Sequence, residues 1–325
     1  NTTLNMNSPS GMSDFRTSLQ ALIEEVPTCQ ATALIVSWFG DDLRCGSCQV
    51  EPKVENADGD ATAMPWRVSG VTRGGAALVP REDERPIYGG TPTDQSVVEA
   101  IQALNNAGQA VTFYPFLLMD QLDDNGLVDP WSDADDQPRL PWRGRITLSK
   151  APGQAGSPDQ TAAATAEVAA FFGAATAADF SISGETVTYI GAAENSYRRF
   201  ILHYAHLCAA AGGVEGFCVG SEMRGLTTIR DGAASYPAVE AFRQLAADVR
   251  AILGASTQIS YAADWSEYFG HHPGDGSGDV FFHLDPLWAD PEIDFIGIDN
   301  YMPISDWRDG FEHLDAQPGW PAIYD

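Results

Sequence analysis

The stretch Ala33-Leu34-Ile35-Val36-Ser37-Trp38-Phe39, closed by Gly40-Asp41-Asp42, decides the fold. Its apolarity is continuous rather than alternating, which marks a strand buried on both faces, as in a parallel sheet. The same design recurs. Ala110 to Met119 is a second apolar run ending at Asp120, and Phe217-Cys218-Val219-Gly220-Ser221 runs into Glu222. Gln258 to Ala263 leads to Asp264-Trp265, and Phe295-Ile296-Gly297-Ile298 leads to Asp299-Asn300-Tyr301. Trp66 to Thr72 is a weaker candidate for a sixth strand.

Helical patterns separate most of these runs. Ser13 is placed to cap a helix with Phe15, Leu19, Leu22, Ile23 and Val26 on one face, stopped by Pro27. Thr93 precedes a second, carrying Val97, Val98, Ile101 and Leu104 and closed by Gly108. Tyr197, Phe200, Ile201, Tyr204, Leu207 and Cys208 form one face before Gly212-Gly213, which suits a C-cap. Pro237 opens another, with Val239, Phe242, Leu245, Val249 and Ile252 leading to Gly254, and a short turn is expected near Leu287. The segment Gln121 to Ile190 is a long excursion around an Ala-rich helix near Thr161 to Phe172. Excursions of that size carry function or partners.

Alternation of strands and helices predicts an α/β fold with a parallel sheet. A doubly wound sheet is the rival, but no G-x-G-x-x-G or P-loop opens a helix. Trp38, Asp41, Asp120, Glu222, Asp264, Trp265, Asp299, Asn300 and Tyr301 all fall at carboxyl ends of strands, where barrel enzymes keep their chemistry. The expectation is a TIM (β/α)8-barrel-like domain over residues 1–325, with residues 121–190 as an insertion after an early strand.

Composition excludes several classes. A net charge of −27, with Lys53 and Lys150 the only lysines, argues against nucleic acid and anionic membranes. An acidic proteome in a saline habitat accounts for such a charge. No apolar run approaches the ~20 residues of a membrane span. The chain begins at Asn1 without methionine or a signal-like segment, as expected of a piece of something longer or processed. Cys45-x-x-Cys48 lacks a second pair at zinc spacing, so no metal or other cofactor is expected, although Cys45 could pair with Cys29 or Cys48. Cys208 and Cys218 read as small buried hydrophobes.

Carboxylates and aromatic rings gathered on one face suit glycoside hydrolysis. That reaction needs a protonated carboxyl for the leaving oxygen and a second carboxylate as nucleophile or water activator. Glu222 is the candidate acid. Asp264, Glu267 and Asp299 are candidates for the second carboxylate, although Asp at such junctions is commonly a helix cap. Trp38, Trp265 and Tyr301 could stack on sugar rings or pack at the barrel rim. His203 and His206 at i and i+3 suggest packing more than metal. The run His271-His272-Pro273-Gly274-Asp275-Gly276-Ser277-Gly278-Asp279 misses the EF-hand register, and no G-x-S-x-G supports an α/β-hydrolase.

Long segments also carry a family resemblance. These are 32–42, Pro141-Trp142-Arg143-Gly144-Arg145-Ile146-Thr147, 200–205, Gly220-Ser221-Glu222-Met223-Arg224-Gly225-Leu226-Thr227, 261–268 and 294–303. They resemble the TIM-barrel-like domain of gene transfer agent and related phage tail proteins. The resemblance implies a tail-tip or baseplate hub component, partnered by other tail proteins and acting on host surface glycan or peptidoglycan at the cell envelope. Glu222 then matches the acid/base glutamate that ends the fourth strand of related glycosidases, and Asp299-Asn300-Tyr301 the end of the sixth. The excursion is expected to meet a neighbouring tail subunit.

Two departures stand out. Ser221 replaces the usual Asn before the acid/base glutamate, and the family's second carboxylate lies on a seventh strand, whereas only residues 302–325 follow Tyr301. The barrel is therefore expected to lack its last strands here, and a catalytically inactive structural or receptor-binding module is the alternative function.

Overall fold

The computed structural model describes residues 5–301; Met302 and Pro303, at the end of the last resembling segment, and all that follows lie outside the described residues. A six-stranded sheet organises the molecule, in the order β6-β5-β4-β3-β1-β2. These are β1 (Ala31–Gly40), β2 (Val50–Glu51), β3 (Ala110–Met119), β4 (Gly216–Ser221), β5 (Gln258–Asp264) and β6 (Gly297–Asp299). All but the antiparallel edge strand β2 run parallel, each beside its neighbour in sequence. That sequential order separates a barrel winding from a doubly wound sheet, whose strand order reverses midway. The fold is TIM-barrel-like.

Five helices occupy the expected places: α1 (Asp14–Glu25), α2 (Asp94–Asn106), α3 (Ala162–Phe172), α4 (Tyr197–Ala210) and α5 (Pro237–Leu253). Ser13, Thr161 and Ser196 cap their helices through side-chain oxygens, and Pro237 opens α5. Thr93 differs. Its hydroxyl bonds the backbone of Arg67 instead of the first turn of α2.

The main core lies between the sheet and α2, α4 and α5. Phe113 of β3 stacks on Phe217 of β4, and both are fully buried. His203 on α4 is pinned to Asp94 at the start of α2 at 2.9 Å, and His206 bonds the Ala177 carbonyl at 3.0 Å; both are packing residues. All five cysteines are free thiols.

Two expectations need correction. Trp66–Thr72 is no barrel strand: Ser69 and Gly70 both take positive φ, so Arg67–Val68 folds back on Val71–Thr72 as a hairpin. Glu222 consequently follows the third, and Asp299 ends the fifth, of the parallel strands among the described residues. Phe295 and Ile296 precede the last strand rather than belonging to it.

The excursion packs on its own chain. Ile146, Leu148, Phe171 and Phe172 are buried, and Arg44 bridges in parallel to Thr147. Strand β4 pairs with β3 only through Gly216–Thr112 and Phe217–Phe113, and Pro115 has no N–H to extend the ladder. Beyond that point Phe116 of β3 has the Arg143 guanidinium over its ring at 3.8 Å, in cation–π contact.

Candidate active site

Glu222 is presented by an irregular strand end. The register between β4 and β5 shifts between Cys218 and Ser221, a bulge that re-aims the residues after it. Only glycine fits at 220, since a Cβ there would lie 2.7 Å from the Phe242 ring and 2.8 Å from the Tyr197 hydroxyl. Glu222 takes a left-handed backbone conformation (φ 51°), uncommon outside glycine, while its amide donates to the Ala262 carbonyl at 2.8 Å. Backbone strain of this kind clusters at functional sites. Gly225 allows the following turn to press against the carbonyls of Gly144 and Ile146.

Glu222 is 4% exposed. Its Oε2 accepts from the Trp142 indole N–H at 2.7 Å and pairs with Arg143 at 3.1 Å. Arg143 also donates to the Ser221 carbonyl and hydroxyl, each at 2.9 Å. Ser221 thus anchors the arginine. Oε1 of Glu222 is buried and receives no hydrogen bond.

Asp299 is near enough to feel the charge of Glu222. Burial raises its pKa, the Tyr114 hydroxyl, which donates to Oδ2, opposes that, and the charge of Glu222 raises it further. The Tyr301 hydroxyl also senses Glu222, and its ring is 71% exposed.

The structure thus brings Glu222, Asp299 and Tyr301 together, with Asn300 exposed between the last two. Trp265 adjoins them, its amide bonded to the Asp299 carbonyl at 3.1 Å and its side chain 38% exposed. Asp264 is opposite Asp299 in register, but its carboxylate accepts from the amide and hydroxyl of Ser266, the turn-capping role open to any Asp there. Asp41 and Asp120 form a second carboxylate group around Lys53, which pairs with Asp120 at 2.8 Å. Burial raises the pKa of both.

Trp38 sits elsewhere. It is fully buried, stacked on Phe200 and bonded through its indole N–H to the Tyr204 hydroxyl, because alternate residues of β1 face the helices. Its ring is core rather than rim. In the glycine-rich loop Asp275 turns back onto Ser277 and Arg230. Among the described residues no group of three or more His, Cys, Asp or Glu side chains converges as a metal site would require, and no helix is long and apolar enough to cross a membrane.

Sequence reasoning overlooked Trp142, Arg143 and Tyr114 as site residues. Pro141-Trp142-Arg143-Gly144-Arg145 was legible as a cationic, aromatic insertion in an otherwise acidic excursion. Its target was not, because 80 residues separate Trp142 from Glu222. Tyr114 looked like one more apolar strand residue.

Residues 195–325 match the GTA TIM-barrel-like domain, so the family resemblance holds for the part of the chain that carries Glu222, Asp264 and Asp299. No curated protein matches the chain. Among solved structures the chain is similar to a GH113 β-1,4-mannanase in a complex, at 16% identity and a TM-score of 0.47, covering 91% of this chain and 59% of that one. It is also similar to the GH113 β-mannanase AaManA from Alicyclobacillus acidocaldarius in complex with ManMIm, at 17% identity and a TM-score of 0.45, covering 92% and 59%. The chain thus spans about three fifths of the length of these enzymes.

Proposed function

We propose that this barrel belongs to the tail tip or baseplate of a phage or gene transfer agent particle, where it acts as a glycoside hydrolase on host surface glycan or peptidoglycan. One observation carries the reading: Glu222, buried and in a left-handed conformation at a strand end, shares its surroundings with Asp299 beneath the exposed rings of Trp142 and Tyr301. A carboxyl in that setting is the candidate to pass a proton to a leaving oxygen, and the rings supply flat faces for sugar. Trp265 extends the platform, and Asp41 and Asp120 offer polar contacts along the same strand ends. The nucleophile's place is left to a carboxylate beyond Tyr301, since Asp264 is engaged by Ser266 and Asp299 by the Tyr114 hydroxyl. Host glycan and the neighbouring tail proteins are the partners.

The buried pair between Arg143 and Glu222 favours a second reading, in which the barrel is an inactive structural or receptor-binding module and Glu222 locks the excursion to the sheet. Reducing-end release from host envelope polysaccharides by the natural full-length polypeptide, with Glu222→Gln in parallel, separates the two. Release that falls ~100-fold or more in the variant supports the hydrolase. No release from any host fraction, with equal glycan binding by both proteins, supports the module.

A further inference from the structure

Behind the strand end that carries Glu222 lies another carboxylate, fully enclosed, that glycan cleavage does not itself require. Glu267 accepts at Oε1 from the Thr227 hydroxyl at 2.8 Å and the Tyr261 hydroxyl at 3.1 Å, and at Oε2 from the Asp264 amide at 2.8 Å. The Tyr261 hydroxyl works in both directions, because it also accepts the Met223 amide at 2.8 Å. One phenol therefore joins Glu267 to the peptide unit that follows Glu222. Thr227 ends the helical turn beginning at Arg224, so the second bond holds the far end of the same loop.

We infer that Glu267 is a positioning residue: through the Tyr261 and Thr227 hydroxyls its carboxylate holds the loop 222–227 and so fixes how Glu222 meets Trp142, Arg143 and Asp299. The inference rests on the reading of Glu222 as the working carboxylate. Its physical basis is a count of protons. An ionised Glu267 offers lone pairs to all three donors. A neutral Glu267 adds a proton of its own to a space already filled with donors, so one of the three must turn away from it; the Thr227 hydroxyl has the Arg224 carbonyl at 3.3 Å as its other acceptor. The Asp264 amide is fixed by the backbone, so the hydroxyls that hold the loop are the groups that yield.

The groups facing Glu267 are Tyr261 and Asp264 on β5 and Thr227 on the loop. His283 contacts the Thr227 hydroxyl at 3.3 Å, with Arg224 and His271 beyond. Burial pushes His283 and His271 down to about 4 and holds the Tyr261 hydroxyl well above its usual range. Burial pushes Glu267 up to about 7 against the pull of its hydrogen-bond donors. The loop therefore tightens as pH rises through neutrality.

The Trp142 indole N–H, which donates to Glu222, is a reporter that needs no turnover. Its resonance, assigned with Trp142→Phe, is followed against pH in 15N-indole-labelled protein. A titration centred near 7 in the wild type, absent in Glu267→Gln and at least about twofold smaller in Tyr261→Phe, supports the inference. No such titration in the wild type, or one that persists undiminished in either variant, overturns it. Tyr261→Phe carries the test alone should Glu267→Gln fail to fold. Silence in the reducing-end assay beside an intact titration sinks only the hydrolase reading, whereas hydrolysis without the titration sinks only this inference.

Discussion

The indole N–H of Trp142 donates to Oε2 of Glu222 at 2.7 Å, joining the excursion to the end of β4 across 80 residues of chain. Arg143, the next residue, pairs with the same oxygen and is itself held by Ser221 and the Phe116 ring. Neither partner of this ion pair has solvent to fall back on, which makes the consequences of removing one asymmetric.

Arg143→Met should cost about 3–5 kcal/mol, because Glu222 is left charged and buried. Glu222→Gln should cost less, since Arg143 keeps Ser221 and Phe116. Denaturant melts of both variants and the double variant give the coupling; a double variant as unstable as the sum of its parts would mean that the pair does not interact.

Glu267 makes stability depend on pH. Its folded pKa, about 7, lies above the unfolded 4.5, so between these values the folded state keeps a proton that the unfolded state has released. Its contribution is full below 4.5 and is lost as pH rises to 7, by roughly 3 kcal/mol in all. The stability difference between wild type and Glu267→Gln, measured at pH 5 and pH 8, should shift by most of that amount against the wild type. A shift in its favour would contradict the assignment.

Trp38 and Tyr301 should separate stability from recognition. Trp38→Ala removes a core ring and should cost about 3–5 kcal/mol, whereas Trp38→Phe should leave glycan binding unchanged. Tyr301→Ala and Trp265→Ala should keep the melting temperature and weaken glycan binding roughly 3–10-fold. Binding isotherms and thermal melts on the same preparations read both quantities.

Gly220→Ala should destabilise by about 1–3 kcal/mol through its clash with Phe242 and Tyr197. Gly74→Ala, where a Cβ meets nothing within 4 Å, is the control. Equal melts for the two would show that β4 has room to shift.

What the sequence revealed follows from how far each signal reaches. Parallel strands and their carboxyl ends were legible because each is an unbroken apolar run that leads to Asp or Glu, but the inference of burial on both faces overreached: in β1 Ala33 and Ile35 are exposed and both faces are covered only from Trp38 to Gly40. Glu222 and Asp299 were found as strand ends on those grounds. Trp66–Thr72 misled because a hairpin and a short strand share the same composition, and only the backbone at Ser69 and Gly70 separates them. Trp38 misled because end-of-strand position does not say which face a ring takes. Trp142 and Arg143 were hidden by distance: nothing local in Pro141-Trp142-Arg143 names a partner so far along the chain.

That distance has a temporal consequence. During synthesis Trp142 and Arg143 emerge well before Glu222, and Glu222 before Asp299, so these four groups can meet only when nearly all of the described chain is available. Contacts of such long reach are closed late and slowly, after the local helices and hairpins have formed. The reverse path runs through the excursion, whose detachment would strip Trp142 and Arg143 from Glu222 while leaving the six-stranded sheet paired. A molecule can therefore own a nearly complete sheet and have no assembled centre, and heat or a protease cut near Asp133–Asp136 would abolish the centre well before the sheet.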